Sequence, residues 1–151
     1  MNMRSMWLRS LGLLLLVVCY TASAQAPRIP QHDQRYLAQI ELHSAAELEG
    51  ILHRAEEVYS ERQYSAGDPV VFVLHGAEGR VFLRQSYTAN KSLVDLAARL
   101  TALRVVDIRV CESWMGGQNI DPAQLLPFVD TVSNGPEEVR RLMSQDNYSY
   151  F

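Results

Sequence analysis

Cysteine is scarce in this chain: there are two, Cys19 and Cys111, and Cys19 lies in a segment that reads as a removable leader. One remaining thiol excludes an internal disulfide framework, so the domain must rest on its own apolar core. Long apolar runs are lacking too. The stretch from Leu11 to Val18 falls well short of the ~20 residues that cross a bilayer. With Arg4 and Arg9 before it and Ala22-Ser23-Ala24 after it, it has the three parts of a secretory signal, and Ala24-Gln25-Ala26 offers a second cleavage point two residues on. Val18 stands where lipidation at Cys19 would need a small residue, so no lipid or other membrane anchor is expected. The expected organisation is a signal peptide over 1–24, an extended arm over 25–35 carrying Pro27 and Pro30, and one domain over 36–151. The mature protein is expected to be exported, which in a bacterium means the periplasm.

Basic charge is also in short supply. The chain has 14 Lys and Arg against 17 Asp and Glu, a formal charge of −3, and removing Arg4 and Arg9 with the leader takes this to −5. No basic patch interleaved with aromatics is present, which argues against nucleic acid as a partner. Gly76 and Gly79 do not fit a phosphate-binding loop, and Gly116-Gly117 lacks the rest of a dinucleotide fingerprint. There is no paired-carboxylate motif and no Ser-His-Asp order. His32, His43 and His53 have none of the short spacings that build a metal site, so neither a metal nor an organic cofactor is expected.

What is present is an alternation of strand and helix signals. Tyr36 to Leu42 reads as a first strand. Ser44-Ala45-Ala46-Glu47 reads as a capping box, opening a helix with Leu48, Ile51, Leu52, Ala55, Val58 and Tyr59 on one face. The stretch from Tyr64 to Asp68 ends it, and Pro69 to Leu74 is an unbroken apolar run, the mark of a strand covered on both faces. After His75-Gly76 and a loop through Gly79, Asn90 or Ser92 can cap a second helix with the stripe Leu93, Leu96, Ala97, Leu100. In the next strand Val106, Ile108 and Val110 share one face and Asp107 and Arg109 the other, which predicts a sheet edge or a face against another subunit. Asp121-Pro122 and Asn134-Gly135-Pro136 each pair an N-cap with proline in the first turn. Phe128 to Ser133 and Asn147 to Phe151 are candidate strands. Strands alternating with helices predict a three-layer α/β/α domain with a mostly parallel sheet of about five strands.

That topology gives Cys111 its interest. Ligands and reactive groups of open parallel sheets gather beyond the C-terminal ends of the strands, where Cys111 closes one strand and His75 follows another. If the two strands are neighbours, both side chains face one crevice, and a turn or helix after Cys111 aims backbone N–H groups at its sulfur. Glu112 adds an opposing charge. Trp114 and Met115 are placed to wall the site or a subunit contact, and Asn90 is either a helix cap or a ligand residue. Cys111 and His75 are therefore the candidate catalytic residues, with Asn90, Glu112 and Trp114 as candidate binding residues.

The residue order also carries a resemblance. The apolar strand ending in His75-Gly76, the helix with Asn90 and the Leu93/Leu96/Leu100 stripe, the strand closing on Cys111, the turn Gly116-Gly117-Gln118-Asn119-Ile120 and the terminal Tyr148-Ser149-Tyr150-Phe151 are together similar to the DsrE/DsrF-like family, over roughly Tyr36 to Phe151. The resemblance implies a homo-oligomer, a trimer or hexamer. It also implies a sulfur carrier or transferase that holds a persulfide on Cys111 and exchanges it with thiol-bearing donor and acceptor proteins. Two other classes stay open on the residues themselves. One is a non-enzymatic oligomeric module that binds a small ligand or protein while Cys111 is passive; the other is a redox sensor or intermolecular disulfide former.

Overall fold

Among the described residues, five short strands and four α-helices follow one another in the order β1 (Arg35–Leu37), α1 (Ala45–Glu61), β2 (Val70–Leu74), α2 (Lys91–Ala102), β3 (Val106–Cys111), α3 (Glu112–Gly117), β4 (Asp130–Val132), α4 (Gly135–Gln145) and β5 (Tyr148–Tyr150). The structure is a computed structural model that describes residues 35–61 and 67–151. The expected signal peptide with Cys19, the arm up to residue 34 and residues 64–66 of the stretch expected to break the first helix lie outside the described residues.

All four strand pairings are parallel, and the sheet order is β4-β3-β2-β1-β5. β2 is central and buried along its whole length, as its unbroken apolar run requires. Its alternate side chains feed two cores. Phe72 and Leu74 join Leu48, Leu52 and Ala55 of α1 and Leu93, Leu96, Ala97 and Leu100 of α2 on one face. Val71 and Val73 join Leu37 and Leu142 of α4 on the other, with Val139 and Met143 packed against them. Helices thus cover both faces, and the fold is a three-layer α/β/α domain.

Three sequence expectations are corrected by contacts that only the fold supplies. The first strand is shorter than Tyr36 to Leu42, and Arg35, assigned to the arm, already pairs with Tyr148. The chain leaves the sheet after Ala38, whose amide donates to the Val71 carbonyl at 2.8 Å, and amides a few residues farther on are drawn to the following helix. Those of Glu41 and Leu42 donate to the two carboxylate oxygens of Glu47 at 2.8 and 2.9 Å. The capping box is therefore half formed: Ser44 Oγ accepts from the Glu47 amide at 3.2 Å, while the Glu47 carboxylate serves residues farther back. Finally, β3 is not at an edge, since β4 pairs beyond it. Its half-polar face meets α4 through charge. Arg109 holds Asp107 at 2.6 Å and Glu138 at 2.7 Å, and its pKa is raised, chiefly by the hydrogen bond to Asp107.

The stretch between β2 and α2, read from sequence as a loop, is a chain of three 3₁₀ turns (Ala77–Phe82, Arg84–Ser86, Thr88–Asn90). The two proline-bearing starts are met: Asp121 caps a 3₁₀ turn over Pro122–Gln124, and Asn134 Oδ1 caps α4 by accepting from the Glu137 amide at 3.0 Å.

Candidate functional site at the strand ends

Because β2 and β3 run parallel with Leu74 beside Val110, the next residues, His75 just past β2 and Cys111 at the end of β3, are neighbours at the C-terminal edge. β4 lies on the far side of β3, with Val132 beside Cys111, and the chain then turns through Asn134 into α4. Three separate pieces of chain therefore converge at one point of the C-terminal edge.

The sulfur of Cys111 sits where two helix starts meet. Cys111 is the N-cap of α3, with extended backbone, and its Sγ accepts from the Trp114 amide at 3.4 Å and from the Gly135 amide, at the start of α4, at 3.1 Å. Gly135 is there for space, not conformation, since no glycine in the described residues has positive φ. A Cβ on Gly135 would lie 2.9 Å from His75 Cβ and 3.2 Å from Cys111 Cβ, so only glycine lets the helix approach between them. Cys111 is 2 % exposed.

His75 is one member of a larger cluster. Its ring lies 4.6 Å from that of His43, centroid to centroid, at a tilt of 57°. His43 Nδ1 is 3.0 Å from Glu78 Oε2, and the other oxygen, Oε1, accepts from the His75 and Gly76 amides, both at 2.9 Å. Glu78 is 1 % exposed, and a carboxylate this deep is tolerable because each oxygen has a donor. His43 takes a left-handed backbone, φ 49°, which costs a residue with a Cβ about 1–2 kcal/mol. Gly76, by contrast, is extended, φ −142° and ψ −161°, a conformation open to any residue. What glycine provides there is again room: a Cβ would lie 2.5 Å from the His43 ring and 2.6 Å from Glu78 Oε2.

The fold therefore places Cys111 and His75 side by side at the ends of adjacent parallel strands, with the Cβ atoms of both against Gly135. The three candidate binding residues fare differently. Trp114 contributes its amide to the sulfur, while its ring covers Gly79 and lies under the Arg80 guanidinium at 5.8 Å. The Glu112 carboxylate accepts from the Thr131 hydroxyl of β4 at 2.5 Å. It lines an open polar cleft of about 360 Å³ together with Ser133, Asn134, Glu137 and Arg141. The side-chain amide of Asn90 donates to the Ser86 carbonyl at 2.9 Å and makes no side-chain cap to α2, so it is engaged within its own turn.

Two residues of the cluster, His43 and Glu78, were not among the sequence candidates. The signal that singled out His75 applies equally to His43, which follows the expected first strand. Glu78 has no comparable signal, since an acidic residue in a loop is ordinarily solvated. Among the described residues no group of three or more His, Cys, Asp or Glu could hold a metal ion, and no helix is long and apolar enough to cross a membrane.

No protein-family model matches the chain, and no curated protein matches it. Among solved structures it is similar to the protein of unknown function MTH1491 from Methanobacterium thermoautotrophicum. The match covers 78% of this chain and 97% of that one, with 20% sequence identity and a TM-score of 0.56. At that identity the likeness concerns the fold alone, and it agrees with the three-layer α/β architecture.

Proposed function

We propose that this protein is an exported, DsrE-like sulfur carrier that holds a sulfane sulfur as a persulfide on Cys111. The observation that carries the reading is the convergence on one sulfur of two backbone N–H donors from separate helix starts, beside an imidazole at the C-terminal edge of a parallel sheet. Backbone donors of this kind stabilise negative charge on sulfur, and the thiolate is the form that attacks. The attack needs no metal and no organic cofactor. The physiological donor and acceptor would be thiol-bearing proteins, the working form a homo-oligomer, and the compartment the periplasm.

The burial of Cys111 favours a second reading, in which the thiol only packs and the strand-end crevice binds a small ligand or a protein. Intact-mass measurement separates the two. The purified protein, incubated with thiosulfate or polysulfide, is expected to gain one sulfur atom on Cys111 and to lose that gain in Cys111→Ser. A folded protein that gains no sulfur and resists alkylation would transfer the argument to the binding module.

A further inference from the structure

We infer that Glu78 and His43 are positioning residues that hold the His75 ring to receive the Cys111 proton, forming a line Glu78–His43–His75–Cys111. The inference rests on the reading of Cys111 as the reacting group. It is carried by three features that converge on the His75 ring. The His43 backbone is held left-handed. Gly76 has an extended backbone that does not need glycine, yet any Cβ there would collide with the His43 ring. The buried Glu78 divides its oxygens, one to the two backbone amides of the His75-Gly76 turn and the other to His43 alone. Its second oxygen reaches an imidazole whose ring lies against His75, and the Cβ atoms of His75 and Cys111 both lie close against the Gly135 α-carbon.

An ionised Glu78 accepts only, so it selects the tautomer of His43 with a proton on Nδ1. In the transfer step the Cys111 S–H proton passes to His75. The Cys111 sulfur then forms a bond to the outer sulfur of a donor persulfide, and the donor's S–S bond breaks. Its electron pair leaves on the donor thiolate, which takes the proton from His75. The sulfane sulfur changes carrier with no net oxidation or reduction.

The other ionisable groups near this edge have partners of their own or face the cleft. Glu112 bonds Thr131, and Glu138 bonds Arg109 and Arg141. Glu137 and Arg141 line the cleft beside Asn134.

The division of Glu78's oxygens makes the test selective. Glu78→Gln keeps an oxygen for the two backbone amides and replaces the oxygen facing His43 with an amide NH2 group, which donates instead of accepting. His43→Asn removes the ring with a residue that tolerates left-handed backbone. The measurement is the rate of Cys111 alkylation by iodoacetamide against pH, with circular dichroism to show that each variant is folded. Each single variant is expected to lower the rate at neutral pH by about tenfold and to displace the midpoint of the profile. The double variant is expected to do no more than either alone, since residues acting as a unit do not add. Profiles that superimpose on the wild type would overturn the line, as would a wild-type thiol inert at every pH. Sulfur uptake with unchanged profiles would remove the line and leave the carrier standing. Displaced profiles without sulfur uptake would do the reverse.

Discussion

The Gly135 amide donates to the Cys111 sulfur at 3.1 Å, tying the first turn of α4 to the end of β3. The bond exists because position 135 has no Cβ. A methyl group there would meet the Cβ atoms of His75 and Cys111, which cannot rotate aside. Gly135→Ala is expected to push the start of α4 outward and to cost about 1–3 kcal/mol. Urea denaturation checks the stability. A variant as stable as wild type would show that α4 approaches less closely than the contacts indicate.

Removing the sulfur separates its chemical from its packing role. Cys111→Ser keeps an acceptor for the Trp114 and Gly135 amides, whereas Cys111→Ala leaves the Gly135 N–H, which is buried with the sulfur, without one. The alanine variant is expected to be the less stable of the two by about 1 kcal/mol, by thermal denaturation. Equal stabilities would mean that the two amides gain nothing from the acceptor.

The Asn134 cap fixes the same helix from the other side of Gly135. Its Oδ1 holds the Glu137 amide at 3.0 Å, and Asn134→Ala is expected to cost about 0.5–2 kcal/mol. Amide hydrogen exchange should then rise in the first turn of α4 while α2 is unchanged. Uniform acceleration would point to global destabilisation instead.

Acid should weaken the α4–sheet contact. Glu138 is held below the usual glutamate value of 4.5, first by its hydrogen bond from Arg141 and further by the charges of Arg141 and Arg109, against the opposing effect of burial. The folded state therefore binds its proton less readily than the unfolded state. The stabilisation is present above the unfolded value and disappears as pH falls through the lower folded one. Stability is expected to decline below about pH 4.5, and Glu138→Gln should flatten that part of the profile at a cost of about 1 kcal/mol near neutrality. Denaturant midpoints measured from pH 3 to 7 would show it; identical acid limbs in both proteins would assign the decline elsewhere.

Phe72 tests the core. It is fully buried in the central strand beneath α1 and α2, so Phe72→Ala is expected to cost about 3–5 kcal/mol. A loss below 1 kcal/mol by urea denaturation would mean that the α1/α2 face repacks readily.

Much of the fold was legible because its signals are local. The run from Pro69 to Leu74 announced a strand covered on both faces, and the Leu93, Leu96, Ala97, Leu100 stripe announced α2. The site was legible in part. His75 and Cys111 were found by their place at strand ends, and the helix after Cys111 does aim an amide at the sulfur. His43 was set aside because residue spacing measures distance along the chain, and its approach to His75 is made across the sheet. Asp107 and Arg109 suggested an edge because their charge partner, Glu138, lies on a helix that the sequence alone did not place over β3.

By itself, then, the sequence determined the alternation of strand and helix, which strand is covered on both faces, and where the one late thiol falls, since each depends on patterns only a few residues long. The tertiary structure decided the strand order, the meeting of residues 43, 75 to 78, 111 and 135, and the need for glycine at 76 and 135. Those relationships depend on parallel register and on helices returning across the sheet. They join residues dozens of positions apart, where short-range periodicity carries no information.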